Sequence, residues 1–165
     1  MNIRPYQPAD WPAVRRIYDL SKPDEMRGSG VNPAAILPLE QDPGMMALFD
    51  ACEILVAEID GQVAGFTGTQ DDRIDWLFVH PARRRQGVGE RLLRHILTRR
   101  PGPVRLHVAS TNQAARRLYE RLGFGVESEF TGQFNGQPCQ VMRLWRNGEA
   151  RRDATIEPVP EQENE

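Results

Sequence analysis

Seven short stretches of the chain are typical of β-strands, and in two of them, residues 74–79 and 104–109, successive side chains fall on two alternating faces. In the stretch from residue 74 to 79, the alternation places Ile74, Trp76 and Phe78 on one face of a strand. The dipeptides Asp60-Gly61 and Asn135-Gly136 are turn signals that predict two hairpins. The seven predicted strands are residues 3–5, 54–59, 63–67, 74–79, 104–109, 124–134 and 137–145.

Three other stretches repeat apolar residues every three or four positions, which predicts amphipathic helices. One helix begins at Trp11 with Asp10 as its cap, one begins near Val88, and one is capped by Asn112 and ends at Gly123. Residues 21–43 are rich in proline, glycine and serine, and they are predicted to form a long loop or a broken helical region. The order of elements indicates a mixed α/β domain.

The length and composition indicate one folded unit. The chain has 165 residues, of which 39% are hydrophobic and 27% charged, and this suits a single soluble domain. Residues 1–146 are predicted to fold, and the polar segment 147–165 is predicted to be a disordered tail. No apolar run approaches the roughly 20 residues of a membrane span, and the N-terminal residues lack a signal core, so we expect a cytoplasmic protein. Cys52 and Cys139 match neither a disulfide framework nor a metal-site spacing.

The positive charge is almost entirely arginine. Lys22 is the only lysine, against 20 arginines. Codon usage in a GC-rich genome explains such a bias, and a need for bidentate phosphate contacts also favours arginine. The net charge of −2 argues against a general nucleic-acid coat. The segment from Arg83 to Arg121 nevertheless carries 11 arginines against two glutamates, which favours a local anion site.

A basic, glycine-containing turn connects the predicted strand 74–79 to the helix near Val88. The main-chain N–H groups at a helix start have no partner within the helix, and the helix dipole adds positive potential there. Gly87 and Gly89 allow a diphosphate to approach the main chain. The turn lacks the Gly-Lys-Ser/Thr ending of a P-loop and the G-x-G-x-x-G of a dinucleotide fold. An ordinary strand–helix turn with solvated arginines remains the alternative.

Two motifs give this turn a family resemblance. Residues 79–93 resemble the acetyl-CoA-binding motif of the GNAT acetyltransferases, whose Gln/Arg-x-x-Gly-x-Gly/Ala pattern is filled by Arg84, Gly87 and Gly89. Residues 112–124 resemble the family's Asn-x-x-Ala-x-x-x-Tyr-Glu-x-x-Gly-Phe helix. The resemblance covers about residues 2–146. It implies the GNAT acyl-CoA N-acyltransferase fold, in which helices flank a mixed central β-sheet with a splayed strand pair, and it implies acetyl-CoA as co-substrate without a metal.

The resemblance also implies which residues hold the co-substrate. Main-chain groups of Leu77, Phe78 and Val79 would bind the pantetheine arm between the splayed strands. Asn112 matches a position that touches the co-substrate, and it is also a plausible helix cap. The pyrophosphate would be held by the turn residues Arg84, Arg85, Gln86, Gly87, Val88 and Gly89.

Catalysis by the family's chemistry needs an acid for the leaving thiolate and a base for the amine. Tyr119 matches the family's usual general acid, although its place on an apolar stripe also suits a core tyrosine. His107 and Asp75 are the two candidate bases, acting directly or through water; a sheet-face histidine and a solvated carboxylate are the alternatives. No cysteine is well placed as a nucleophile, so we expect direct attack of the amine in a ternary complex.

Three classes of function follow from these residues. The first is an N-acetyltransferase that acts on an amine, the second is a catalytically inactive acyl-CoA-binding regulatory module, and the third is a nucleic-acid binder. The third is disfavoured by the net charge and by the lack of aromatic residues among the arginines from Arg83 to Arg105. The acceptor is expected to be selected by residues 21–50 and the closing hairpin, and a small amine, an amino acid and a peptide N-terminus all stay open. Many family members form homodimers, and the sequence leaves the oligomeric state open.

Overall fold

Seven strands form a single mixed sheet in this structure, a computed structural model that describes residues 1–148. The strand order is β1-β2-β3-β4-β5-β7-β6, and every neighbouring pair is antiparallel except β4 and β5. This architecture confirms the predicted fold class. The strands are β1 (Asn2–Pro5), β2 (Glu53–Ile59), β3 (Gln62–Gln70), β4 (Arg73–Val79), β5 (Val104–Ala109), β6 (Gly125–Phe134) and β7 (Gln137–Arg146).

Within residues 1–148, four α-helices cover the sheet: α1 (Trp11–Glu25), α2 (Pro43–Ala51), α3 (Val88–Arg99) and α4 (Gln113–Arg121). Helices α1 and α2 pack on one face of the sheet, where Val56 and Phe66 join their apolar cluster. Helix α3 packs on the opposite face, against Ala57 and Ala64. Val56 and Ala57 are consecutive, and consecutive residues of a strand point to opposite faces. A further cluster joins α4 to β5 and β7.

Strands β4 and β5 are the splayed pair. They pair only at Arg73 with Arg105 and at Ile74 with Leu106, and beyond this point they separate. On the other side of β4, Trp76 and Ile74 lie opposite two consecutive residues of β3, so Asp75 is the extra residue of a β-bulge. The bulge contradicts the prediction of one shared face, because Ile74 packs under α3 and β5, whereas Trp76 and Phe78 pack under α1 and α2.

Helix α1 is longer than the sequence predicts. It continues to Glu25 with Pro23 inside it, and the buried residues of its last turns include Ser21 and Lys22. The region that the sequence predicts as a loop or a broken helix therefore begins at residue 26, and it contains two short 3₁₀ turns, Pro33–Ala35 and Leu39–Gln41, before α2. The predicted cap at Asp10 is also wrong: its carboxylate accepts two hydrogen bonds from the Arg4 guanidinium, at 2.8 and 2.9 Å, and one from a backbone N–H, and it caps no N–H of α1.

Both predicted hairpin turns have the expected left-handed backbone. Asp60 and Gly61 have φ of 51° and 74°, and Asn135 and Gly136 have φ of 46° and 78°. Among residues 1–148, no helix is long and apolar enough to cross a membrane. The predicted tail begins at residue 147; residues 149–165 lie outside the described part of the chain, so the domain boundary stays a prediction.

Candidate active site

A cleft of about 540 Å³ opens where β4 and β5 separate. Its walls are β4, the start of α3, the inner face of α4 and the C-terminal end of α1. Gln86 is the one predicted site residue outside this lining, and its side-chain amide donates to the carbonyl of Ala82 at 3.4 Å. The predicted site residues that line the cleft are Asp75, Leu77, Phe78, Val79, Arg84, Arg85, Gly87, Val88, Gly89, His107, Asn112 and Tyr119.

The exposed edge of β4 supplies main-chain hydrogen-bonding groups to this cleft. The N–H of His80 donates to the carbonyl of Ala64 at 2.9 Å, next to the antiparallel ladder of β3 and β4. Polar main-chain groups alternate sides along a strand, so those of Phe78 face β3, whereas those of Leu77 and Val79 face the gap. The Ser21 hydroxyl donates to the carbonyl of Val79 at 3.1 Å. Of the three residues predicted to bind the pantetheine arm, Leu77 and Val79 thus direct main-chain groups toward the cleft. Phe78 lines the cleft with its side chain instead.

The turn before α3 forms an open cradle at one end of the cleft. Arg85 and Gly87 both have left-handed backbone, with φ of 60° and 75°. The first main-chain bond of α3 runs from the N–H of Arg91 to the carbonyl of Gly87, so the preceding N–H groups have no helical partner. A Cβ built on Gly87 would meet no atom of the described chain within 4 Å. Free N–H groups that point into open space at a helix start suit a phosphate group.

Arg84 is held by a carboxylate beside this cradle. Its guanidinium donates to Asp24 at 2.8 Å, and Arg27 donates to the same carboxylate at 2.6 Å. The hydrogen bond from Arg84 lowers the pKa of Asp24 below its usual value. The positive charge of Arg84, which lies beside the cradle, is therefore partly neutralised by Asp24.

Tyr119 belongs to the core and to the cleft at once. Its ring is buried on α4 against Phe124, with 5.8 Å between the centroids, and the residue lines the cleft. Its hydroxyl makes no hydrogen bond to residues 1–148. Burial, with a contribution from the charge of Glu25, raises the pKa of Tyr119 well above 10. The phenol is therefore protonated at neutral pH, as a general acid must be.

Asp75 and His107 lie on opposite sides of the gap. Each follows the last paired residues of its strand, Ile74 in β4 and Leu106 in β5. The carboxylate of Asp75 is ion-paired with Arg73 at 2.5 Å, and it also accepts a weak hydrogen bond from a thiol. The structure thus brings both candidate bases to one place.

His107 is held neutral by its surroundings. Its Nε2 accepts a hydrogen bond from the guanidinium of Arg143 at 3.2 Å. Partial burial and the positive charge of Arg143 lower the pKa of His107 below 6.5. The neutral ring is the form that a base needs, and its lone pair is directed at Arg143.

Neither cysteine has the properties of a nucleophile. Cys52 and Cys139 are free thiols. Burial, with the nearby charge of Asp75, raises the pKa of Cys52 to about 11, and burial also raises the pKa of Cys139. Both therefore stay as thiols rather than thiolates at neutral pH. No cluster of three or more His, Cys, Asp or Glu suited to a metal occurs within residues 1–148.

The C-terminal end of α1 adds charged residues that the motifs do not identify. Lys22 and Glu25 line the cleft as an ion pair with an Nζ–Oε1 distance of 3.1 Å. The sequence marks this place only by the single lysine and by its acidic neighbours. The sequence left open whether residues 21–43 form a loop or a broken helix, so it did not predict that Lys22 and Glu25 belong to α1.

Comparison with known proteins finds one family model and two curated relatives that match parts of this chain. Residues 50–126 match the family model described as an acetyltransferase (GNAT) domain. The mycothiol acetyltransferase of Amycolatopsis mediterranei is 35% identical over 105 residues, which are 60% of this chain and 32% of that protein. The peptidyl-lysine N-acetyltransferase YjaB of Salmonella typhimurium is 32% identical over 80 residues, 48% of this chain and 54% of that protein. The chain thus spans about a third to a half of these curated relatives.

A solved structure shows the same fold. The protein yncA of Salmonella typhimurium, solved with its cofactor acetyl-CoA, matches with a TM-score of 0.67 and 22% identity, over 94% of this chain and 98% of that one. The family model and the two curated relatives make parts of this chain similar to acetyltransferases, and the solved structure agrees with it in fold. Residues 50–126, just under half of the chain, match the GNAT acetyltransferase domain.

Proposed function

We propose that this chain transfers the acetyl group of acetyl-CoA to an amine, by direct attack in a ternary complex. The observation that carries the proposal is the single cleft that joins the free edge of β4, the turn before α3 and the hydroxyl of Tyr119. These features supply, in order, a site for an amide-containing arm, a site for a diphosphate and a proton donor. The matching relatives support acetyl transfer in general.

The described residues support the binding of two parts of acetyl-CoA, its pantetheine arm and its pyrophosphate. The main-chain groups of Leu77 and Val79 would bind the pantetheine amides, and the N–H groups at the start of α3 would bind the pyrophosphate. Asn112 caps α4 by accepting a hydrogen bond from the N–H of Ala115 at 3.2 Å, and it lines the cleft. Both interpretations of Asn112 are thus compatible. Acetyl-CoA supplies the reactive thioester.

Proton transfers would be divided between two sides of the cleft. The amine nitrogen forms a bond to the acetyl carbon as the carbon–sulfur bond breaks, and the thiolate takes the proton of the Tyr119 hydroxyl. The proton of the amine passes to His107 or Asp75, directly or through water. N–H groups at the free edge of β4 would polarise the thioester carbonyl.

The same proposal includes where the protein acts. The two free thiols support a reducing compartment, and we propose the cytoplasm. The names of the curated relatives indicate mycothiol in one case and peptide lysine in the other. These acceptors differ, so they support an amine or peptide acceptor as a class, and the acceptor of this chain has to be argued from its own cleft.

Two measurements on the purified chain test the proposal. Acetyl-CoA is expected to raise the melting temperature, and a panel of amines is expected to contain members that release free thiol from acetyl-CoA. A rise in melting temperature without thiol release from any amine would instead indicate the inactive acyl-CoA-binding module. Absence of both effects would contradict the proposed function altogether.

A further inference from the structure

The only lysine of the chain forms part of the cleft wall. Its side chain is 8% exposed, and Nζ lies 4.8 Å from the ring centroid of Phe134, 5.8 Å from that of Phe78 and 5.9 Å from that of Tyr18. An ammonium is costly to bury unless charges or ring faces compensate it. Here three rings and one carboxylate surround it on a wall that opens into the cleft.

The ion pair of Lys22 and Glu25 leaves hydrogen-bonding capacity unused. An ammonium has three donors and a carboxylate has two oxygens. Within residues 1–148, the Lys22 ammonium donates only to Oε1 of Glu25, and Oε2 of Glu25 accepts no hydrogen bond. The pair thus offers free donors beside a free acceptor, on the surface of one cleft.

The pair lies close to the reacting groups. The ring of Phe78 that contacts Lys22 belongs to the strand segment whose main chain faces the gap. The charge of Glu25 acts on Tyr119 and helps to raise its pKa. Asp24, which lies between the two residues in the sequence, binds Arg84 beside the phosphate cradle. The pair therefore lies in the same cleft wall as the free edge of β4 and Tyr119, where an acceptor would meet the thioester.

We propose that Lys22 and Glu25 bind the acceptor, and that the acceptor is a small zwitterionic amine of the amino-acid type. Lys22 would bind the carboxylate of the acceptor, and Glu25 would bind its ammonium. An ion pair with one free donor face and one free oxygen is complementary to an adjacent ammonium and carboxylate. A simple polycation would find no excess negative charge in the pair. This inference rests on the proposed acetyl transfer.

The test compares acceptors that differ only in the carboxylate. With saturating acetyl-CoA, kcat/KM is measured for each standard amino acid, for its carboxamide and for the corresponding amine without the carboxylate, for example leucine, leucinamide and 3-methylbutylamine. The best amino acid is expected to exceed both of its analogues by about tenfold or more. Equal turnover of the amides or plain amines, or a preference for peptides, would overturn the inference.

Variants of Lys22 and Glu25 then test whether this ion pair causes the preference for acceptors with a carboxylate. Lys22→Met is expected to raise KM for the amino acid about tenfold, with a smaller effect on KM for amines that lack the carboxylate and on KM for acetyl-CoA. Lys22→Arg retains the charge and is expected to keep part of the preference. The double variant Lys22→Met/Glu25→Gln avoids an unpaired, half-buried carboxylate if the single variant is unstable.

Arg15→Met is the matched control, because Arg15 is an exposed cation of the same helix and pairs with Glu40. It is expected to leave the preference unchanged. A Lys22→Met variant that keeps the wild-type preference would overturn the inference, as would loss of the preference in Arg15→Met. These outcomes differ from a failure of the proposed function, in which no amine releases thiol at all.

Discussion

The two ends of the cleft are built from different parts of the chain. The proposed co-substrate end consists of main-chain groups from residues 77–89, a continuous segment that runs from β4 through the turn into α3. The proposed acceptor end consists of side chains from the end of α1, and one of them, Lys22, packs on Phe134 of the distant β6–β7 hairpin. A main-chain site requires particular backbone conformations, whereas a side-chain site requires particular residue types. The first kind leaves a glycine-containing motif in the sequence, and the second leaves only scattered residues.

The largest expected effect is at Tyr119, where the two ends meet. Tyr119→Phe is expected to lower kcat about 10²–10⁴-fold, with KM for acetyl-CoA and the melting temperature almost unchanged, because the hydroxyl has no partner among the described residues. Tyr6→Phe is the control: it removes a hydroxyl from a ring that packs on Phe49, away from the cleft. Steady-state kinetics that show equal kcat for Tyr119→Phe and wild type would disprove the acid role.

The next effect concerns the backbone of the phosphate cradle. Gly87→Ala places a Cβ on a left-handed residue and in the open space of the turn, so acetyl-CoA is expected to bind about tenfold or more weakly by calorimetry. Gly61→Ala is a matched control, since Gly61 has φ of 74°, near the 75° of Gly87, and its Cβ would also meet nothing within 4 Å.

Both glycine variants are expected to lose about 1–2 kcal/mol of unfolding free energy, because both impose the same left-handed strain. Only Gly87→Ala is expected to lose affinity for acetyl-CoA. If Gly61→Ala weakened binding equally, the loss would be a consequence of stability, and the main-chain cradle would be the wrong explanation.

An intermediate effect is a shift in the pH profile. If His107 is the base, its neutral form is active, so kcat/KM rises with pH through a pKa below 6.5. Arg143→Gln removes a positive charge that lowers this pKa, so the acidic limb is expected to move to higher pH. His107→Gln is expected to abolish that limb, whereas a limb that persists in His107→Gln would favour Asp75.

The smallest effects are expected at the charged side chains beside the cradle. Exposed ion pairs contribute about 0.2–1 kcal/mol, so Arg84→Gln is expected to weaken acetyl-CoA binding only a few-fold, less than Gly87→Ala. Asp24→Asn releases Arg84 and is expected to tighten binding slightly. Arg27→Gln, which affects the other partner of Asp24, is expected to change nothing. A larger loss for Arg84→Gln than for Gly87→Ala would show that side chains dominate the co-substrate end.

Local signals account for the parts of the fold that the sequence predicts well. The turns at Asp60-Gly61 and Asn135-Gly136 require left-handed backbone, and their residues tolerate it. The cap at Asn112 depends on an N–H three residues away. Each of these features depends only on residues within a few positions, so a short stretch of sequence is enough to predict it.

The features that the sequence does not predict depend on distant partners. The bulge at Asp75 exists only relative to β3, and it changes which face Ile74 occupies. Helix α1 continues past Pro23 to Glu25, and the turn that precedes Pro23 buries Ser21 and Lys22. The contact of Lys22 with Phe134 joins residues more than 100 positions apart. Periodicity within one segment cannot reveal such contacts.

The burial of the single lysine determines how the protein surface reacts with acylating reagents. An acetyl thioester acylates neutral amines, whereas the guanidinium of arginine stays protonated in proteins. All 20 other basic side chains, apart from the three histidines, are arginines, so no lysine amine is available on the surface to react with acetyl-CoA in the surrounding solution. Reagents that label or immobilise proteins through surface lysines would find no lysine to react with, because the single lysine is buried. An acetyl-lysine found in its peptides would therefore report a reaction inside the cleft.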